Sequence, residues 1–163
     1  AAGGHPEFNI DWGVSLWLQS VAASKLVLGM PAYGRGWVGA SSEYVDGSGP
    51  VAGTYEEGLV SFYDIQANYV GNPAWTRGWN DVSKVPYFTR TSPPSFVSYD
   101  DATSIALKAT YARERGLMGM MWWEASDDKD GVLLSAANAA WAAASANTPR
   151  SPPPPPSPPS SPP

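Results

Sequence analysis

Two short apolar runs, Lys25 to Met30 and Leu117 to Trp122, interrupt a chain otherwise punctuated by polar residues, glycine and proline. Each ends abruptly in aromatic and charged groups, the first in Tyr33, Arg35 and Trp37, the second in Trp123 and Glu124. Continuous apolar runs of this length predict buried parallel strands, and strands that end in such groups open onto a site. Upstream, Ile10, Val14, Trp17, Leu18 and Val21 recur at helical spacing. With Asn9 or Asp11 as cap, they predict an amphipathic helix over about 10–23 that packs one face on the sheet. Pro31 stops the first strand, and Tyr33–Trp37 reads as a loop at the mouth of the site.

From Val38 to Pro94 the periodicity gives way to Gly, Ser, Pro and scattered aromatics. Within it a helix is expected over 56–69, with Leu59, Phe62 and Tyr63 on one side, closing at Gly71, Asn72 and Pro73. Val85–Phe88 and Ser95–Tyr99 read as short returning strands. Connections between strand and helix are commonly about 2 to 6 residues, so a stretch this long is an inserted subdomain. Asp100 or Asp101 then caps a helix to Arg115, Gly116 ends it, and a last Ala-rich helix runs over 133–146. The order strand, helix, strand, helix belongs to an α/β sheet, where chemistry gathers at the carboxyl ends of the strands. Beyond Pro149 the chain is almost entirely Ser and Pro, which reads as an extended polyproline linker or stalk.

Composition narrows the function classes. The 163 residues allow one ordinary domain. The chain starts at Ala1 rather than methionine, nothing resembling a signal peptide stands at this end, and the expectation is a processed product or a fragment. A net charge of -5, without any run of Lys or Arg, argues against nucleic acid as partner. No apolar run approaches the roughly 18 residues of a membrane span. There is no cysteine, and the single histidine, His5, is too little for a metal cluster or a Ser-His-Asp triad, so neither metal nor cofactor is expected. The eight Trp and eight Tyr are the excess. They either fill a core or offer flat faces on which sugar rings stack.

Five segments in order and spacing carry a resemblance: KLVLGMPAYGR (Lys25–Arg35), GTYEEG (Gly53–Gly58), VPYF (Val85–Phe88), VSYDDATSI (Val97–Ile105) and GMMWWE (Gly119–Glu124). Together they resemble the C-terminal part of family 18 glycoside hydrolases, the chitinases and chitinase-like proteins, over about residues 9–130. The resemblance implies a partial (β/α)8 TIM barrel: the seventh and eighth strands with flanking helices, interrupted by an α+β insertion subdomain. The expected divisions are a barrel segment at 1–36, the insertion at 37–96, a second barrel segment at 97–147, and the Pro/Ser-rich linker at 148–163.

By the same resemblance Trp123 matches the tryptophan beneath the sugar at the cleavage subsite. Tyr33 and Arg35 match a tyrosine and an arginine lining the cleft, Glu56 an acidic residue of the insertion that reaches bound sugar, and Leu59 an apolar position against the ligand. Each has a plainer reading. Trp122 and Trp123 point to opposite faces of their strand, so one of them faces the helix layer. Arg35 can hold a surface carboxylate, and Glu56 can cap its helix. Glu124, Asp127, Asp128 and Asp130 look like a carboxylate cluster, yet Asp-Asp-Lys-Asp-Gly after a strand reads as a loop capping the last helix.

The family's catalytic signature, D-x-x-D-x-D-x-E on the fourth strand, does not occur in these residues, nor does the Met-x-Tyr-Asp segment of the sixth. That chemistry is substrate-assisted: the acetamido oxygen attacks the anomeric carbon while the final Glu protonates the leaving oxygen, outside the usual paired-carboxylate scheme. The expectation is a C-terminal segment of a secreted chitin-hydrolysing enzyme, inactive by itself and monomeric as part of a longer chain, with chitin or N-acetylglucosamine oligosaccharides as partners. A non-catalytic chitin-binding lectin of the same family is the alternative. Ser/Pro runs also resemble the hydroxyproline-rich stalks of plant and algal cell walls, which points to an extracellular protein.

Overall fold

A computed structural model describes residues 7–147, so the linker expected at 148–163 lies outside the described residues. In chain order the elements are α1 (Ile10–Trp17), β1 (Val27–Pro31), β2 (Tyr33–Val38), β3 (Gly49–Pro50), β4 (Leu59–Ser61), α2 (Phe62–Asn68), β5 (Thr76–Asn80), β6 (Val85–Thr91), β7 (Pro94–Ser98), α3 (Ala102–Glu114), β8 (Gly119–Trp123) and α4 (Val132–Asn147).

The two apolar runs pair in parallel, β1 with β8, from Val27 opposite Gly119 to Pro31 opposite Trp123. Helix α3 supplies the crossover into β8, and α4 packs alongside α3. The start of α3 is held as its sequence predicts: the Asp101 carboxylate accepts from the amides of Thr103 and Ser104, both at 2.9 Å, and the Ser104 hydroxyl accepts from the Asp101 amide. Gly116 ends it at φ 68°, a conformation that costs glycine little.

Between β1 and α3 the chain builds a second, antiparallel sheet in the order β3-β2-β7-β6-β5, with β4 added along β2. Here the expected mouth loop is corrected: Tyr33–Val38 is strand β2. It takes residues 33–36 into the antiparallel sheet, ahead of the boundary expected at 37. Gly34 and Gly36 made the segment look like a turn, but both are buried and allow close packing. A Cβ on Gly36 would stand 2.6 Å from Val51 Cγ2, and one on Gly34 would stand 3.0 Å from Ile65 Cδ1. The helix expected over 56–69 is also shorter, because its first residues form β4 and only Phe62–Asn68 is helical. Pairing with β2 satisfies the backbone of Leu59–Ser61 across strands, which outweighs the local helical spacing. Strand β5 carries no alternation in sequence to mark it; it forms as the edge partner of β6.

The core lies between the inner face of this sheet, α2, α3, α4 and β1. Phe88, Val97, Val60, Ile65, Met30, Ile105 and Leu133 are each at most 2% exposed. Burial of such side chains contributes about 1.5 to 3 kcal/mol apiece. Helix α1 departs from expectation. It ends at Trp17, after which the amide of Gln19 bonds the carbonyl of Leu16 in a tighter turn, and none of its residues is buried. A sheet of two parallel strands offers too narrow a floor. Val14, Trp17 and Val21 instead line an open apolar groove of about 370 Å³ with Leu26, Leu28 and Leu117.

Candidate functional site at the junction of the two sheets

Strand β2 leaves the parallel pair almost at once. The Ala32 amide donates to the Trp123 carbonyl at 2.9 Å, while the Ala32 carbonyl accepts from the Phe62 amide at 2.9 Å. One residue thus ties the carboxyl end of β8, the root of β2 and the start of α2 together. Trp123 stands at this junction and is 65% exposed, whereas its neighbour Trp122 packs against the core. The alternation of a strand sends the two indoles to opposite sides. The peptide bond between Trp123 and Glu124 is cis.

Along β2 the same alternation puts Gly34 and Gly36 on the core side, and Tyr33, Arg35 and Trp37 on the outer face. The register then decides who joins them. Tyr33 is opposite Ser61, and Arg35 is opposite Leu59 on one side and Ser98 on the other. Residues directly opposite in an antiparallel pair share a face. Glu56 is brought in by a tight turn: the Leu59 amide bonds the Glu56 carbonyl at 3.0 Å, with Gly58 between them at φ 80°. Tyr33, Arg35 and Leu59 therefore lie together, Glu56 borders them, and Trp123 adjoins through Ala32.

The plainer readings fare differently. Arg35 is exposed and pairs with no carboxylate among the described residues. Glu56 does not cap a helix, because α2 begins six residues later with Ser61 as its N-cap. The acidic run after β8 does act as a cap: the Asp128 carboxylate accepts from the Leu134 amide at 2.9 Å. Among the described residues no group of three or more acidic or histidine side chains could hold a metal ion.

The motifs left a polar cluster beside the site unread. The Tyr63 hydroxyl donates to that of Tyr55 at 2.8 Å, and Lys129 Nζ lies 3.3 Å from the centre of the Tyr63 ring. The link to Tyr63, followed by the nearness of that phenol, holds the Tyr55 hydroxyl above its ordinary pKa of 10.0. The loop after β8 is thereby joined to α2 and to the turn that carries Glu56. Below the sheet, burial raises the Tyr99 hydroxyl above its usual range, opposed by the hydrogen bond that Arg77 Nε donates to it at 3.2 Å. Trp37, at the end of the expected loop, and Phe96, on an expected returning strand, lie opposite one another on the same outer face. The signal for them was the alternation Tyr33, Arg35, Trp37.

Chemically, an exposed indole beside a guanidinium, a carboxylate and an apolar side chain makes a platform with a few polar contacts at its rim. Such a surface suits a flat ligand of weak polarity.

Comparison with known proteins places the chain in a family. The model of glycosyl hydrolases family 18 matches residues 1–128. Chitinase A1 of Niallia circulans is 42% identical over 148 residues, covering 85% of this chain and 21% of that protein. The class V chitinase CHIT5 of Lotus japonicus is 34% identical, covering 83% and 35%. Among solved structures, chitinase ChiA74 from Bacillus thuringiensis superposes with a TM-score of 0.75 at 29% identity, over 86% of this chain and 27% of that one. A chitinase from Cycas revoluta solved with (GlcNAc)3 gives 0.71 at 28%, over 85% and 40%. The chain thus spans about a fifth to a third of the length of these curated relatives. On the family match and these similarities, the chain belongs to glycosyl hydrolases family 18.

Proposed function

We propose that this chain is the C-terminal segment of a secreted chitin-hydrolysing enzyme and supplies one wall of its oligosaccharide cleft. The observation that carries the reading is the shared surface at the junction of the two sheets: exposed Trp123 beside the outer face that holds Tyr33, Arg35 and Leu59. Trp123 forms the floor under a pyranose ring, Leu59 closes its apolar side, and Arg35, Tyr33 and Glu56 meet its hydroxyl and acetamido groups. The Cycas revoluta relative was solved with (GlcNAc)3, in keeping with that ligand class.

The general acid is absent from these residues, so the proton that the leaving oxygen needs comes from a part of the enzyme outside them. Wall residues contribute by holding the sugar in the distorted form that precedes bond cleavage, where contacts stronger in the transition state than in the ground state raise the rate.

The test compares the purified 163-residue chain with the whole protein that contains it, on a chromogenic chitooligosaccharide. The expected result is turnover by the whole protein and none above a buffer blank by the chain. Turnover by the isolated chain overturns the assignment of the acid elsewhere. A whole protein that binds N-acetylglucosamine oligomers yet never cleaves them is the chitin-binding lectin of the alternative reading.

A further inference from the structure

The outer face of the antiparallel sheet carries more aromatic surface than a cleft wall beside Trp123 accounts for. We propose that Trp37, Phe96 and Tyr87 form a second sugar-stacking surface on that face, which lengthens the binding track for a polymer of N-acetylglucosamine. The proposal rests on the cleft reading above and extends it outward along β2.

Register places the three rings on adjacent strands and on one side. Trp37 is opposite Phe96, and Tyr87 is opposite Ser98, two residues from Phe96 on the same strand. The rings of Tyr87 and Phe96 have centroids 5.4 Å apart and planes 32° apart. Tyr87 lies over Gly78, its ring occupying the space that a side chain there would need, so it is laid along the sheet and not projected from it. Trp37 is 41% exposed and is held at its base by Gly47, where a Cβ would come 2.7 Å from Trp37 Cβ.

A core role does not explain them. The inner face has its own filling in Phe88, Val97 and Val60, and the outer face of a half-solvated antiparallel sheet is ordinarily polar. Trp37 is exposed, Tyr87 and Phe96 are half-buried beside it, and a contiguous apolar patch that stays partly in water marks a binding site. The chemistry between the rings fits a sugar: Ser98 stands opposite both Arg35 and Tyr87, and Thr89 stands opposite Phe96. Hydroxyls alternate with flat apolar faces, and Arg35 is the one charged group among these positions. Such a surface matches a pyranose, with its apolar faces and polar edges, better than it matches a charged polymer or a lipid.

Position gives the length dependence. Trp37 follows Tyr33 by four strand residues, which is about 13 Å at the usual rise. A short oligomer seated on Trp123 therefore ends before it, and a longer one continues onto it.

The experiment uses the whole protein containing this chain, with Trp37→Ala and Trp37→Phe compared with wild type. Binding is titrated with the dimer and the hexamer of N-acetylglucosamine and with insoluble chitin, and near-ultraviolet circular dichroism checks the fold. Trp37→Ala is expected to weaken hexamer and chitin binding by about 5- to 150-fold, the range that ring stacking supplies, and to leave the dimer unchanged. Trp37→Phe, which keeps a smaller ring, folds and gives an intermediate loss. Unchanged hexamer affinity in both variants, or an equal loss on dimer and hexamer, overturns the proposal. A wild type that binds no oligomer of any length overturns the cleft reading itself, and this surface with it.

Discussion

Replacing each of the two adjacent tryptophans of β8 by alanine separates the proposed sugar platform from a core residue within one strand. Trp123 is 65% exposed, so about a third of it is covered. Full truncation of a buried aromatic costs about 3 to 5 kcal/mol, and a third of that puts Trp123→Ala at about 1 to 1.7 kcal/mol of stability. Trp122 packs against the cluster that contains Met30, Ile105 and Leu133, and its loss removes contacts on that side and leaves a cavity. It should cost about 3 to 4 kcal/mol. Ligand binding should rank the other way. Stacking on an exposed ring contributes about 1 to 3 kcal/mol, so Trp123→Ala should weaken N-acetylglucosamine trimer binding about 5- to 150-fold, and Trp122→Ala should leave it near wild type in the folded fraction. Turnover by the whole protein should fall further than affinity in Trp123→Ala, because sugar distortion uses the same surface. Urea denaturation gives the stabilities, and titration with the trimer gives the affinities. If Trp123→Ala unfolds at markedly lower urea than Trp122→Ala while keeping normal trimer affinity, the two faces of β8 have been assigned the wrong way round.

Two further substitutions probe what holds the site in place. Gly53→Ala drives a Cβ into the carbonyl oxygens of Glu56 and Leu59, so the turn presenting both residues must open. Oligosaccharide affinity should drop together with stability, by about 1 to 3 kcal/mol in the latter, as read by titration and urea melts. Lys108→Met strips the partner from Asp100, whose carboxylate is 5% exposed and bonded to Lys108 Nζ at 2.5 Å, with its other oxygen already unpartnered. An uncompensated buried charge costs about 3 to 5 kcal/mol, and adding Asp100→Asn should recover much of it; a double variant no more stable than Lys108→Met would contradict that account.

Features that depend on neighbouring residues were open to reading in the chain alone. The Asp101 cap of α3, its end at Gly116 and the capping role of Asp128 follow from side chains that satisfy amides a few positions away. The opposite directions of Trp122 and Trp123 follow from the twofold alternation of any strand. The apolar runs marked β1 and β8, although not that they pair in register from Val27 with Gly119.

What the chain alone misstated lies where a distant partner outweighs local preference. Glu56 to Ser61 has helical spacing, but β2 was within reach to satisfy the Leu59–Ser61 backbone, and strand pairing prevailed. Tyr33–Trp37 looks like a loop because of its two glycines, and those glycines are there because Val51, Val97 and Ile65 crowd that face of β2. Local sequence therefore determined helix caps, the alternation of side chains along each strand and the residue types at the candidate site. Only tertiary pairing decided which of those residues meet, because register across strands is set by backbone hydrogen bonds and core packing between segments far apart in the chain.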